Sequence, residues 1–307
     1  MDEARKWTDA RLEDIENELL TIYKRAQAEN AAAWNEYLLS VEKELAELEK
    51  MYKAAVESGA KEEAKRLGKK LGQLKKEKTL FSDRFASIAQ MTAENISHTN
   101  EIALAYINGQ LPAVYVKNYN ALKDVVQTAI KGYSFSTINQ NVVSNLIKEK
   151  RILLPTKTIN QKKDVRWNLK KLNSEVLQGI LQGESMDKIA ARFQKVQNMN
   201  ADSAIRNART MVTAAENGGR FDSYCQAEKD GVVLEKYWIK TNDSKTRDWH
   251  AQAGIDYGKE NSISIHEPFI VDGEELMFPG DGSSASGHNV YNCRCSMASK
   301  VVGFNLR

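Results

Sequence analysis

Apolar residues fall at Leu12, Ile15, Leu19, Ile22 and Ala26, in alternating steps of three and four that place them on one face of a helix. The register resumes at Val41, Leu45, Leu48, Tyr52 and Ala55 after a shift between Ala33 and Tyr37. The pattern therefore predicts one long helix with an imperfect seam, broken at Ser58-Gly59. A second series, Leu67, Leu71, Leu74, Phe81, Phe85, Ile88 and Ile102, is expected to stop at Asn108-Gly109, with Pro112 just beyond. Two helices of similar length joined at a glycine predict an antiparallel hairpin over residues 1–110. Its polar faces are dense in Glu and Lys, which suits a self-contained coiled coil or an arm that docks on a larger assembly.

From Leu111 the pattern reads as shorter helices, at about Val114–Lys131, Thr137–Lys150, Asp164–Gln182, Met186–Gln197 and Ala201–Lys229. Pro155, in the turn-rich LLPTKTINQKK, marks a boundary or hinge. Ser185 can cap a helix in which Ile189, Ala190 and Phe193 face inward, as at the start of a helix-turn-helix or in a bundle. The adjacent Gly218 and Gly219 imply either close backbone packing or a break.

After Gly231 the period changes to two. VVLEKYWIK predicts a strand, Asp243–Gln252 a short helix capped by Asp243 or Ser244, EPFIVDGEELMFPGD a hairpin turning at Asp272-Gly273, and CRCSMASKVVGF a last strand. The expected fold is α+β and predominantly α-helical: a long N-terminal antiparallel helical hairpin (1–110), central helices with a basic linker (111–174), and a small C-terminal mixed α/β domain with a short sheet (175–307).

Charge leaves the partner open. Lys+Arg 44 against Asp+Glu 41 gives a formal net charge of +3, too small to make nucleic acid the automatic partner. The segment Lys61–Lys78 and the set Lys148, Lys150, Arg151, Lys157, Lys162, Lys163, Lys170 and Lys171 are locally basic; the second set suits contact with DNA phosphate or an acidic protein face, or a solvated surface, and Lys162, Lys163, Lys170 and Lys171 are the candidate DNA contacts. The acidic, amphipathic N-terminus is unlike a secretory signal, and no run approaches the roughly 20 apolar residues of a membrane span, so a cytosolic origin is expected.

Two of the three cysteines and three of the four histidines lie between His250 and Cys295. Cys293 and Cys295, two apart on an extended segment, would point to one face. With His250 they offer three borderline ligands for a structural zinc ion, the fourth open among His288, His266 and Asp281. The same residues fit reduced buried cysteines beside a core histidine, or a thiol nucleophile with its base. Cys225 reads as a buried small hydrophobe.

Arg209-Thr210, Asn217-x-Gly219-Arg220, Lys236-x-Trp238, Asp243, Arg247, His250, Gly254, Pro279-Gly280-Asp281 and Asn292-Cys293-Arg294-Cys295 follow one another in an order that resembles the phage head morphogenesis domain, the phage Mu protein F-like minor capsid family. Met211 stands where relatives carry an acidic residue. The resemblance, over roughly residues 175–300, implies a minor capsid, head morphogenesis protein of a tailed phage or prophage, portal-associated and inside the virion head, made in the bacterial cytoplasm. It implies portal, capsid and scaffold proteins as partners, packaged DNA as a non-specific one, a role in head assembly and genome packaging or delivery, and neither catalysis nor a required cofactor. A metal-dependent or thiol enzyme using His250, Cys293 and Cys295 is the alternative.

Overall fold

The structure, a computed structural model, describes residues 2–77, 83–148, 154–182, 184 and 186–305. Lys78, Phe81, Lys150, Arg151, Gly183 and Ser185 lie outside these residues, and the side chains of Lys148 and Ala190 outside those described. The helices are α1 (Glu3–Glu57), α2 (Lys61–Glu77), α3 (Asp83–Asn120), α4 (Leu122–Ala129), α5 (Gln140–Lys148), α6 (Gln161–Leu181), α7 (Met186–Lys229), α8 (Asp248–Asp256) and α9 (Gly287–Val290). The strands are β1 (Val232–Ile239), β2 (Ile263–Ser264), β3 (Phe269–Val271), β4 (Glu274–Leu276) and β5 (Ser296–Phe304). The fold is α+β and predominantly helical, with the long N-terminal hairpin and the small C-terminal sheet expected from the pattern.

The chain forms two compact units, one of residues 20–103 and 159–202, the other of 1–19, 104–158 and 203–307. In the first, the heptad residues Val41, Leu45, Leu48 and Ala55 pack on Leu67 and Leu74, which makes the antiparallel hairpin. Its turn is a Schellman cap: Gly59 takes φ 74° and Ala60 N–H donates to the Ala55 carbonyl at 3.0 Å. The seam shift has a cause in Trp34, which stacks on Phe193 with centroids 4.0 Å apart and donates its indole N–H to Thr92 Oγ1 at 3.0 Å. Nearby, Tyr23 Oη–H donates to Asn100 Oδ1, Asn100 to Asp164 and Asn200, and Asn200 to Asn168. Because Asn100, Asn168 and Asn200 are paired with one another and with Asp164, these polar residues cost little and fix which helices pair.

Several helix limits differ from the sequence reading. α3 does not stop at Asn108-Gly109 but continues through Pro112 to Asn120. Asn108 is no cap: its amide bonds both the N–H and the carbonyl of Lys157. α4 starts at Leu122 as a separate helix where one was expected from Val114 to Lys131. The pair Met186–Gln197 and Ala201–Lys229 is one helix, because Asn200 is held inside by Asn168 and the Val196 carbonyl instead of ending the turn. That continuity leaves no turn and no recognition helix after Met186, so the segment is part of a bundle.

In the second unit, Tyr115, Tyr119, Val126, Phe135, Tyr224, Trp238, Phe269 and Leu276 belong to one core. Gly219 is where α7 meets α3: a Cβ there would sit 2.6 Å from the Tyr115 carbonyl oxygen. Gly219 therefore marks close packing, and α7 passes through both glycines unbroken. The sheet order is β2-β1-β5, antiparallel, with Trp238 opposite Met297 and Ile239 opposite Ser296. β3 and β4 form the expected hairpin, with Asp272 at φ 49° and Gly273 at φ 77°, the two positive values a type I′ turn demands. Alternation along β1 sends Val232, Leu234, Lys236 and Trp238 inward, including one lysine. Cys225, expected buried, is half-buried on α7.

Candidate functional site

One face of α7 carries Thr210, Thr213, Asn217 and Arg220, a polar stripe at helical spacing. It grips the extended chain that leads into β5. Thr210 Oγ1 accepts from Asn292 N–H at 2.8 Å, and Thr213 Oγ1 donates to the Cys293 carbonyl at 2.6 Å. Asn217 donates to the Cys295 carbonyl at 3.1 Å and accepts from Met297 N–H at 2.9 Å; Arg220 donates to the Met297 carbonyl at 3.2 Å. The backbone of residues 292–297 thus finds on side chains the partners a neighbouring strand would supply. Asn292 enters the segment at φ 57°, a conformation Asn tolerates better than most residues.

Arg220 is buried and fully used. Its Nη atoms form a two-pronged pair with Asp2 at 2.7 and 2.9 Å, and Nε donates to Asn118 at 3.0 Å. Asp2 is held below its ordinary pKa: burial raises it, but hydrogen bonds and charge from Arg220 prevail. Burial pushes the Glu216 carboxyl up while Arg220 and Ser296 pull it down, leaving it raised. Arg209 clamps Glu16 with bonds of 2.6 and 2.8 Å. Gly280, at φ 83°, lies against α7, where a Cβ would come within 3.2 Å of Thr213 Cγ2. Asp281 stays inside that loop, accepting from Met277 N–H and Ser283 N–H beside buried Pro279.

Asp243 does not cap α8, as expected, because its carboxylate is engaged elsewhere. It pairs with Arg294 at 2.6 Å and accepts from Lys245 N–H at 3.0 Å; the helix begins at Asp248 after Arg247. The hydrogen bond from Arg294, outweighing partial burial, lowers the Asp243 pKa to about 2. Arg247 donates to the Tyr291 carbonyl. Gly254 lets α8 approach the Lys240 stem, with a Cβ there 3.0 Å from Lys240 Cβ.

α8 carries His250 into the core, 1 % exposed, between Cys293 and Cys295, each 2 % exposed. His250 Nδ1 is 3.6 Å from both sulfurs. The indole of Trp238 meets the imidazole edge-on, centroids 5.5 Å apart. Asn289, which sequence reasoning missed, decides the proton position. Its Nδ2 donates to the Val271 carbonyl and to Glu274, so its oxygen faces Trp249 Nε1–H at 2.8 Å and His250 Nε2 at 3.3 Å. That oxygen can only accept, so the imidazole presents an N–H from Nε2 to it and turns Nδ1 to the sulfurs. The thiol of Cys293 is raised, first by its hydrogen bond to Cys295 and then by burial; Cys295 is lowered, first by the same bond.

His288 pairs with Asp272 at 2.9 Å and stacks on Trp249, and His266 pairs with Glu228 at 2.7 Å. Among the described residues the cluster comprises His250, Cys293 and Cys295, and His266, His288 and Asp281 do not join it. Grooves of about 740 and 630 Å³ in the same unit are lined by other residues. On α6, in the other unit, Lys162, Lys163 and Lys170 are exposed and Lys171 lies 5.7 Å over the Trp167 ring. Thr213, Glu216 and Asp2 join Asn289 as site residues that sequence reasoning missed; the helical spacing of Thr213 with Thr210 and Asn217 was the available signal.

Residues 170–298, which hold both the α7 stripe and the segment it grips, match the family described as Phage Mu protein F like protein. This segment is similar to the phage Mu F-like domain. The chain is 25% identical over 240 residues to the Minor head protein GP7 of Bacillus phage SPP1, across 76% of this chain and 74% of that protein. It is 26% identical over 134 residues to the NAD(+)--arginine ADP-ribosyltransferase EFV of Enterococcus faecalis, across 44% of this chain and 26% of that protein. The chain spans about a quarter of that second relative. No solved structure matches the chain. The Mu F-like order of motifs has a physical reading: its first motifs lie on α7, its last is the extended segment from Asn292 to Cys295, and hydrogen bonds join the two.

Proposed function

We propose that the chain is a minor head protein of a tailed phage or prophage, bound to the portal and to capsid or scaffold proteins inside the head. It serves head assembly and the packaging or delivery of the genome. The carrying observation is that likeness to a minor head protein runs over 240 residues and 74% of that protein, well beyond the Mu F-like segment. The likeness to the ADP-ribosyltransferase takes in 26% of that protein, too little to transfer its activity.

The geometry supports an architectural use of the domain. Holding the 292–297 backbone against α7 takes up the hydrogen-bonding groups of Thr213, Asn217 and Arg220. His250, Cys293 and Cys295 are buried, so a thiol or metal-dependent enzyme at these residues lacks a path for substrate. α1 exposes Leu39, Met51 and Val56, which suits docking on a protein surface, and the exposed α6 lysines suit phosphate. No helix among the described residues is long and apolar enough to cross a membrane. The test is capture of the chain by the portal protein during phage growth. Heads that assemble, fill and infect normally without the chain contradict the reading.

A further inference from the structure

Hydrogen bonds alone do not account for the arrangement of the three residues at the centre of the domain. An Nδ1 lone pair accepts one S–H at a time, yet His250 Nδ1 stands 3.6 Å from Cys293 Sγ and also 3.6 Å from Cys295 Sγ. A common ligand accounts for both distances. With metal–sulfur and metal–nitrogen bonds of about 2.3 and 2.0–2.1 Å, a tetrahedral zinc ion sets N···S at about 3.6 Å and S···S at about 3.8 Å. The three atoms lie within 4.8 Å of one another.

The surroundings are arranged for ligands instead of thiols. Asn289 takes an N–H from His250 Nε2 and so turns Nδ1 toward the two sulfurs, the outer-shell orientation that metal-bound histidines require. Backbone N–H groups point at both sulfurs, from Cys295 to Cys293 Sγ at 3.4 Å and from Thr241 to Cys295, as suits thiolates. Trp238 walls the site edge-on to the imidazole, and its buried Nε1–H has no acceptor among the described residues.

Charge selects the metal. The cluster belongs to an apolar core, where an uncompensated ion is costly. A divalent ion with two thiolates and a neutral imidazole is neutral; a monovalent copper ion in the same set leaves a buried negative charge. Calcium and magnesium take oxygen ligands and do not suit sulfur.

We propose that His250 Nδ1, Cys293 Sγ and Cys295 Sγ bind one zinc ion whose fourth ligand is water, tying α8 to the chain that enters β5. The inference is independent of the assembly role, since occupancy is read on purified protein whatever that protein docks on.

The test is elemental analysis of the full chain purified without chelator. About one zinc per chain is expected. Cys293→Ser and His250→Gln should fall below about a tenth of that, whereas Cys225→Ser keeps it. Because a ligand variant can lose its fold, the second measurement uses the unsubstituted chain. Replacing zinc by cobalt(II) should give thiolate-to-cobalt charge-transfer absorption with tetrahedral d–d bands. A chain that carries no zinc and shows no such absorption on cobalt titration overturns the site. Metal content unchanged in Cys293→Ser and His250→Gln overturns it equally.

Discussion

Lys236 occupies an inward position of β1, fully buried between Leu234 and Trp238. Its ammonium donates to the Met277 carbonyl at 2.7 Å and sits 5.2 Å from the Phe221 ring and 4.8 Å from the Phe269 ring. Burial pushes its pKa from 10.5 down to about 8. In the unfolded chain the lysine keeps its ordinary value of about 10.4. Between those two values the unfolded chain holds a proton that the folded chain has lost. Stability from this group therefore rises with pH through that window and is level below it. The gap corresponds to about 3 kcal/mol. Lys236→Met keeps the stem, removes the charge and strands the Met277 carbonyl, at a cost of about 1 kcal/mol at every pH. At neutral pH the variant should be the more stable by about 2 kcal/mol, and above the window the less stable by about 1. Urea unfolding of both proteins across this range measures the difference, in which groups common to both cancel. A difference that does not change with pH, or that moves the other way, refutes the buried-ammonium account.

Two further substitutions probe the α7 contacts. Gly219→Ala meets the Tyr115 carbonyl at 2.6 Å and should cost about 2–4 kcal/mol, although alanine is normally the better helix former by about 1 kcal/mol. Gly72→Ala on α2, with nothing within 4 Å, should show that ordinary gain; thermal unfolding of the two variants checks the contrast. Asn217→Ala strands the Cys295 carbonyl and the Met297 N–H and should cost about 2–4 kcal/mol, read as a lower urea midpoint.

The long elements were legible because their signals are repetitive. The heptad steps from Leu12 to Ala55 specify α1, and Asp272-Gly273 specifies the β3–β4 turn. What escaped was polar chemistry resolved at long range. Asn108, Asn200 and Asp243 look like helix punctuation, but each is engaged by a distant partner, Lys157, Asn168 and Arg294 respectively. Local propensity cannot anticipate such partners. Lys236 escaped for the same reason, since alternation placed it inward and only the fold supplies its carbonyl and rings. The candidate site was legible in composition and order: His250, Cys293 and Cys295 do come together. The choice among its companions was not. His266 and His288 find carboxylates on the surface, while Asn289, an ordinary residue in the sequence, orients the imidazole.

The central claim is that this chain is a head component held at the portal. Heads purified from a phage or prophage encoding it, treated with a cross-linker and digested, give the most direct measurement: mass spectrometry of the linked peptides. The account predicts links between this chain and the portal protein in intact heads. Purified heads that lack the chain, or that contain it without any link to the portal, contradict it.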